Sequence, residues 1–170
     1  MKYFIKFITF LLLILLTNTG FGQSLSLDEL VDLRKKNLTK FIEYLNPKGW
    51  INSNEARLDA NGQSSDYFRL SNKASKSTIE YLSSNDTKTN RISIHISQKE
   101  TYSKYVTKII SLGYRLIKAE LENGDIIKVY QGKKNTIKVT TITDKTNYSS
   151  ATINTYKFLI LSNEDYGLRI

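Results

Sequence analysis

Apolar side chains recur at intervals of three and four from Leu27 onward, at Leu27, Leu30, Val31, Leu38, Phe41, Ile42 and Leu45. That interval is the mark of a helix with one buried face. Arg34, Lys35, Lys36 and Lys40 fall mainly on the other faces and read as a solvated basic flank. Ser26-Leu27-Asp28-Glu29 has the form of a capping box, in which the serine oxygen accepts from a first-turn amide and the glutamate reaches back. The helix is predicted to begin there and to end at Pro47 and Gly49, just before Trp50. A second helix is predicted over Glu100 to Leu112, where Tyr102, Tyr105, Val106, Ile109 and Leu112 share a face and Gly113 supplies a left-handed stop before Tyr114.

Elsewhere the period shortens to two. Strands are predicted at Trp50 to Leu58, Asp66 to Asn72, Thr78 to Ser83 and Arg91 to Ser97, and again at Arg115 to Leu121, Asp125 to Tyr130, Thr136 to Thr143 and Ala151 to Leu161. Ile92, Ile94 and Ile96 alternate with Ser93, His95 and Ser97, the pattern of a half-buried strand. Glu122-Asn123-Gly124 fits a three-residue hairpin loop, which pairs Leu121 with Asp125, Ala119 with Ile127 and Ile117 with Val129. In that register Leu116, Lys118, Glu120, Ile126, Lys128 and Tyr130 point away from the helices. Matching Leu159 and Leu161 to Ile94 and Ile96 adds Tyr156, Phe158 and Ile160 to the same outer face. Aromatic anchors rimmed by charge are what a protein-binding patch offers, so Leu116, Lys118, Lys128, Tyr130, Tyr156 and Phe158 are the candidate partner-binding residues. The competing expectation is that a loop, the segment Tyr166 to Ile170 or a second copy of the chain covers this face.

Both halves read as helix, glycine-aromatic stop and four strands, and local sequence follows the same order. Leu38-Thr39-Lys40-Phe41-Ile42 parallels Val106-Thr107-Lys108-Ile109-Ile110, and Gly49-Trp50 parallels Gly113-Tyr114. Ala56-Arg57-Leu58 before Asn61-Gly62 parallels Ala119-Glu120-Leu121 before Asn123-Gly124, and Ile96-Ser97-Gln98 parallels Leu161-Ser162-Asn163. The expected fold is α+β: two tandem helix-plus-four-stranded antiparallel repeats, residues 23–99 and 100–170, with the helices on one face of a joined curved sheet in one compact domain. In the order of its elements this resembles the tandem-repeat fold of the β-lactamase inhibitory proteins, whose open sheet face grips a partner protein. The resemblance spans nearly all of the chain after residue 22 but includes no specific motif, and the cysteines usual in that family are absent. It implies a binding role and transfers no site residue.

The first 22 residues have the zones of a secretory leader: Lys2 and Lys6, a run from Ile8 to Leu16 broken only by Thr9, then small residues near Gly20 and Gly22. The apolar run is roughly half the ~20 residues a membrane span requires, so cleavage is expected near Gln23, with delivery to the periplasm or outside the cell and no membrane anchor in the mature chain. Removing Lys2 and Lys6 with the leader takes 25 basic residues to 23 against 16 acidic, a net charge of +7. That charge suits anionic partners, and export disfavours nucleic acid among them.

The chain has no cysteine, so its stability rests on packing, and thiol chemistry and cysteine metal sites are ruled out. The single histidine, His95, reads as an ordinary surface residue, and no Gly-x-Ser-x-Gly elbow accompanies it. Glu120, Glu122, Asp125, Asp144, Glu164 and Asp165 keep open a two-carboxylate hydrolase. Asn123-Gly124-Asp125 is hairpin chemistry rather than a calcium loop, because the ligand positions that follow are apolar. No catalytic residue, cofactor or metal is therefore expected. The expected function is that of an exported, non-enzymatic protein-interaction module: an inhibitor, an immunity-like protein or an envelope accessory protein. The alternatives are a small exported carboxylate hydrolase and a binder of anionic polymer or membrane surface.

Overall fold

Ser26 starts the first helix as its position predicts: its hydroxyl accepts from the Glu29 N–H, and the Glu29 carboxylate accepts from the Ser26 N–H, opening α1 (Leu27–Leu33). The chain is described by a computed structural model over residues 25–52, 57–58, 64–70, 77–82, 90–145 and 152–167, so the expected leader lies outside the described residues. The one long helix expected from Ser26 is in fact two. Asn37 adopts extended backbone angles and accepts from the Lys40 N–H, capping α2 (Leu38–Leu45). An asparagine does more at a helix start than inside one, and the apolar period survives the break. Arg34, at the break, turns inward and donates to the Asn135 side chain at 3.0 Å and the Asn90 carbonyl at 3.3 Å. It is buried, which corrects its place in a solvated basic flank.

A short 3-10 turn over Asn46–Lys48 leads to Gly49 at φ 78° and into β1 (Trp50–Asn52). There follow β2 (Arg57–Leu58), β3 (Ser64–Leu70), β4 (Thr78–Leu82) and β5 (Arg91–Ile96). The second helix, α3 (Lys99–Ser111), ends in a Schellman motif: the Gly113 N–H donates to the Ile110 carbonyl and the Tyr114 N–H to that of Ile109, with Gly113 at φ 78°. Then come β6 (Arg115–Glu122), β7 (Asp125–Gln131), β8 (Asn135–Lys145), β9 (Thr152–Ser162) and a last short helix, α4 (Asn163–Gly167). The fold is α+β. All pairings are antiparallel, in the order β1-β3-β4-β5-β9-β8-β7-β6, with β2 also on β3.

The core lies between the helices and one side of this sheet. Phe41 of α2 stacks on Tyr81 of β4 at 4.5 Å, Tyr102 of α3 stacks on Tyr156 at 4.2 Å, and Tyr105 meets Phe158 edge-on at 5.1 Å. Register places Tyr81, Ile92 and Ile160 side by side, as it does Ile94, Phe158 and Val139, so all these residues share one face. This corrects the expected orientation of β9: Tyr156, Phe158 and Ile160 face the helices, and Leu159 and Leu161 face away. β9 is apolar on both sides and central, so alternation alone could not choose its face.

The sheet's second face is partly closed as well. Ser93, Ile127, Val129, Thr136 and Leu161 are all buried there. Arg91, adjacent to Ile92 and therefore on the opposite side, is held by Asp165 of α4, with Nη2 to Oδ1 at 2.8 Å. That helix, absent from the sequence reading, is capped by the Ser162 hydroxyl accepting from the Asp165 N–H. Among the described residues no helix is long and apolar enough to cross a membrane.

Candidate interaction surface

The β6–β7 hairpin closes on two residues, not three. Asn123 has φ 54° and Gly124 φ 89°, the two positive angles of a type I′ turn whose twist matches that of the flanking strands. Glu122 therefore pairs with Asp125, Leu121 with Ile126, Glu120 with Ile127 and Ala119 with Lys128. The expected register is off by one residue, and in an antiparallel pair that slip moves one strand's apolar set to the other face. Ala119 and Leu121 share the helix-bearing side with Ile126 and Lys128, while Lys118 and Glu120 share the other with Val129 and Ile127. A bulge at Ile117 shifts the register between Leu116 and Lys118.

The six candidate partner-binding residues are therefore not one patch. Tyr130, Tyr156 and Phe158 belong to the core beneath the helices. Leu116 and Lys118 are exposed on β6, and Lys128 is half-buried on β7. Truncating Tyr130 or Phe158 thus removes core packing rather than a surface anchor.

What the structure does assemble lies nearby. Ile110, Leu112, Leu116, Ile117, Leu121 and Ile126 make up six of the seven large apolar side chains exposed among the described residues. They run from the end of α3 along the first hairpin of the second half, with Leu121 74% exposed at its tip. Single exposed apolar residues are ordinary, but a contiguous run is not. The run includes β6, which ends the sheet. Charge lines it as well: Lys118 Nζ lies 3.0 Å from Glu120 Oε2, and this bond, with the carboxylate's charge, holds Lys118 above the ordinary lysine value. The sequence reading marks Leu116, Lys118 and Ile126 as outward-facing but not Leu121, which lies on the helix-bearing side as expected and is exposed there at the hairpin tip. The Asn-Gly pair, the strongest short hairpin signal, would have given the correct register.

Several polar groups elsewhere are engaged with one another. Ser93 Oγ donates to Glu80 Oε2 at 2.8 Å, and Lys157 lies 3.7 Å from the same oxygen. His95, half-buried on that face, is held below the ordinary histidine value by burial and by the Lys157 charge. Asp165 is bound by Arg91, Asp28 pairs with Lys108 at 2.8 Å and Asp32 with Lys35 at 2.9 Å. A cleft of about 500 Å³ at the α1–α2 break is lined by Asp32, Lys35, Lys36, Asn37 and Lys40.

Fold and surface together define an α+β protein built on one antiparallel sheet, with a partly apolar strand open at one edge. The chain matches no protein-family model, no curated protein and no solved structure.

Proposed function

We propose that this is an exported, non-enzymatic interaction module, of the inhibitor, immunity-like or envelope accessory kind, that binds another protein through the β6 edge and the end of α3. The observation that carries this reading is the set of exposed apolar side chains at this end of the sheet: Leu116, Ile117 and Leu121 on the edge strand β6, Ile126 on the paired β7, and Ile110 and Leu112 at the end of α3. An unpaired edge offers backbone groups for strand addition, and the apolar side chains offer contact area.

We also read the chain as two tandem helix-plus-four-strand units, residues 23–99 and 100–170, with their helices on one face of a joined curved sheet. The mirrored strand order, in which β5 and β9 meet at the centre, supports this. So do the left-handed glycines Gly49 and Gly113, each just before an outermost strand, and the buried Leu45 and Ile109 four residues ahead of them.

The test is cross-linked capture from the exported fraction, with Leu121→Glu and Leu116→Glu against the unaltered chain. The reading expects capture to fall at least about tenfold while the melting temperature stays within about 2 °C. Capture that survives both substitutions would place any binding surface elsewhere.

A further inference from the structure

We propose that the partner of the β6 edge is a second copy of this chain, paired antiparallel to it about a two-fold axis through Ala119. This rests on the interaction-module reading and narrows it. β6 is eight residues long and seven of them are exposed. Its charges are polarised: Arg115 and Lys118 come first, Glu120 and Glu122 last. Antiparallel self-pairing sets the basic half of one strand against the acidic half of the other, whereas a parallel neighbour would oppose like charges.

The register is then nearly forced. A two-fold axis normal to the sheet keeps each face on its own side, so residues opposite each other must come from the same face, and the axis must pass between two copies of one residue. Centring on Lys118 or on Glu120 opposes like charges at the axis. Centring on Leu121 sets Glu120 against Glu122, and centring on Ile117 puts the bulge at the axis and leaves both glutamates unpaired. Centring on Ala119 sets Lys118 against Glu120 twice, with a small side chain at the closest approach. It also brings the exposed Leu121 of one copy beside Leu116 and Ile117 of the other, twice over.

The backbone favours the same arrangement. The two-residue turn makes Glu122 and Asp125 a hydrogen-bonded pair, so by alternation Glu120 and Lys118 bond inward to β7, and Ala119 and Leu121 turn their N–H and C=O groups outward. Ala119 can therefore bond to its own copy without giving up a bond inside the chain. At the other end of the sheet the described outer segments are shorter, three residues in β1 and two in β2.

The experiment uses the full chain, expressed with its own leader and purified in the form the cell makes. The proposal expects dimers in sedimentation at about 100 µM or below. Lys118→Glu and Glu120→Lys should each weaken dimerisation about tenfold or more, and the double exchange should restore it, because two cross-strand pairs turn repulsive in each single variant and attractive again in the double. Ala119→Pro should abolish the dimer without unfolding the chain, since the N–H it removes points outward. The native chain has no cysteine, so Ala119→Cys introduces a single one, expected about 5.5 Å from its copy between Cα atoms and able to form a disulfide. Leu121→Cys, about 14 Å from its copy along the strand, should not. A monomer whose capture of some other protein is lost in Ala119→Pro would overturn self-pairing and keep the interaction reading. A monomer whose captures ignore every β6 variant would overturn both, and a dimer unaffected by the charge exchanges would place the contact elsewhere.

Discussion

At one end of the sheet the chain turns through Gly49, buries Trp50 at once and forms the described three-residue strand Trp50–Asn52. At the other it turns through Gly113 at the same φ and runs on for eight residues, seven of them exposed. The local entry is alike and the outcome is not. At the first end Trp50 is buried while its neighbour Ile51 stays exposed, and a clamp in which the Glu29 carboxylate accepts from Tyr44 and Lys48 sits just ahead of the glycine. The second end has a single helix whose last apolar residues, Ile110 and Leu112, are themselves exposed. Both outermost strands thus carry exposed apolar side chains, Ile51 at the first end and Leu116, Ile117 and Leu121 at the second.

The largest expected effects lie where this contrast meets the core. Trp50→Ala at the first end and Phe158→Ala at the centre should each cost about 3–5 kcal/mol, measured by denaturant unfolding, because both side chains are fully packed. A loss below about 1 kcal/mol at Trp50 would mean that this side chain is as open as those of β6. Next comes Asp165→Ala, which leaves the buried Arg91 guanidinium without its carboxylate and should cost about 3 kcal/mol.

A smaller effect tests the clamp through pH. Burial pushes the Glu29 carboxyl upward, but hydrogen bonds from Lys48, Tyr44 and Ser26 outweigh it and bring the pKa from 4.5 to about 2. A folded-state value below the unfolded one stabilises the protein above about pH 4.5, and that contribution is lost as the pH falls toward 2. Glu29→Gln should therefore cost about 1 kcal/mol at pH 7, after allowance for solvent screening, and should flatten the stability profile between pH 4.5 and 2. Smallest of all, Leu121→Ser at the open end should change the stability of the dissociated monomer by no more than about 0.5 kcal/mol, because within one chain the side chain already meets water. A larger loss in the monomer would mean that another part of the same chain covers β6.

Much of this contrast can be read along the chain, and the exceptions have physical causes. The capping box at Ser26, the Gly113 stop, the side on which β5 carries Ile92, Ile94 and Ile96, and the α+β class all follow from local rules. Even so, β5 is not the half-buried strand its alternation suggests, since Arg91 and Ser93 are buried on its second face. The break at Asn37 hid inside an unbroken apolar period, where capping chemistry outweighs helix continuation. β9 misleads for a different reason: it carries Tyr156, Phe158 and Ile160 on one face and Leu159 and Leu161 on the other. Apolar residues on both faces leave its orientation open, and Tyr156 and Phe158 fall on the helix-facing side. The surface at β6 is half legible: Leu116 and Lys118 read as exposed, but Leu121 is on the helix-bearing side and is exposed because it sits at the hairpin tip, which strand alternation does not reveal. Arg34 could not be read at all, because its partners Asn90 and Asn135 lie far away in sequence.

The meeting of β5 and β9 at the middle of the sheet also dictates an order of events. β5 is complete by Ile96, yet the strand that covers its far edge begins at Thr152, and the Arg91–Asp165 pair that pins it spans 74 residues. Until β9 arrives, β5 offers an unpaired edge carrying Ile92, Ile94 and Ile96, the kind of segment that recruits strands from other chains. The first half alone is accordingly an aggregation-prone fragment. A chain released or cleaved before its last strand would be lost to precipitation rather than retain half of its function.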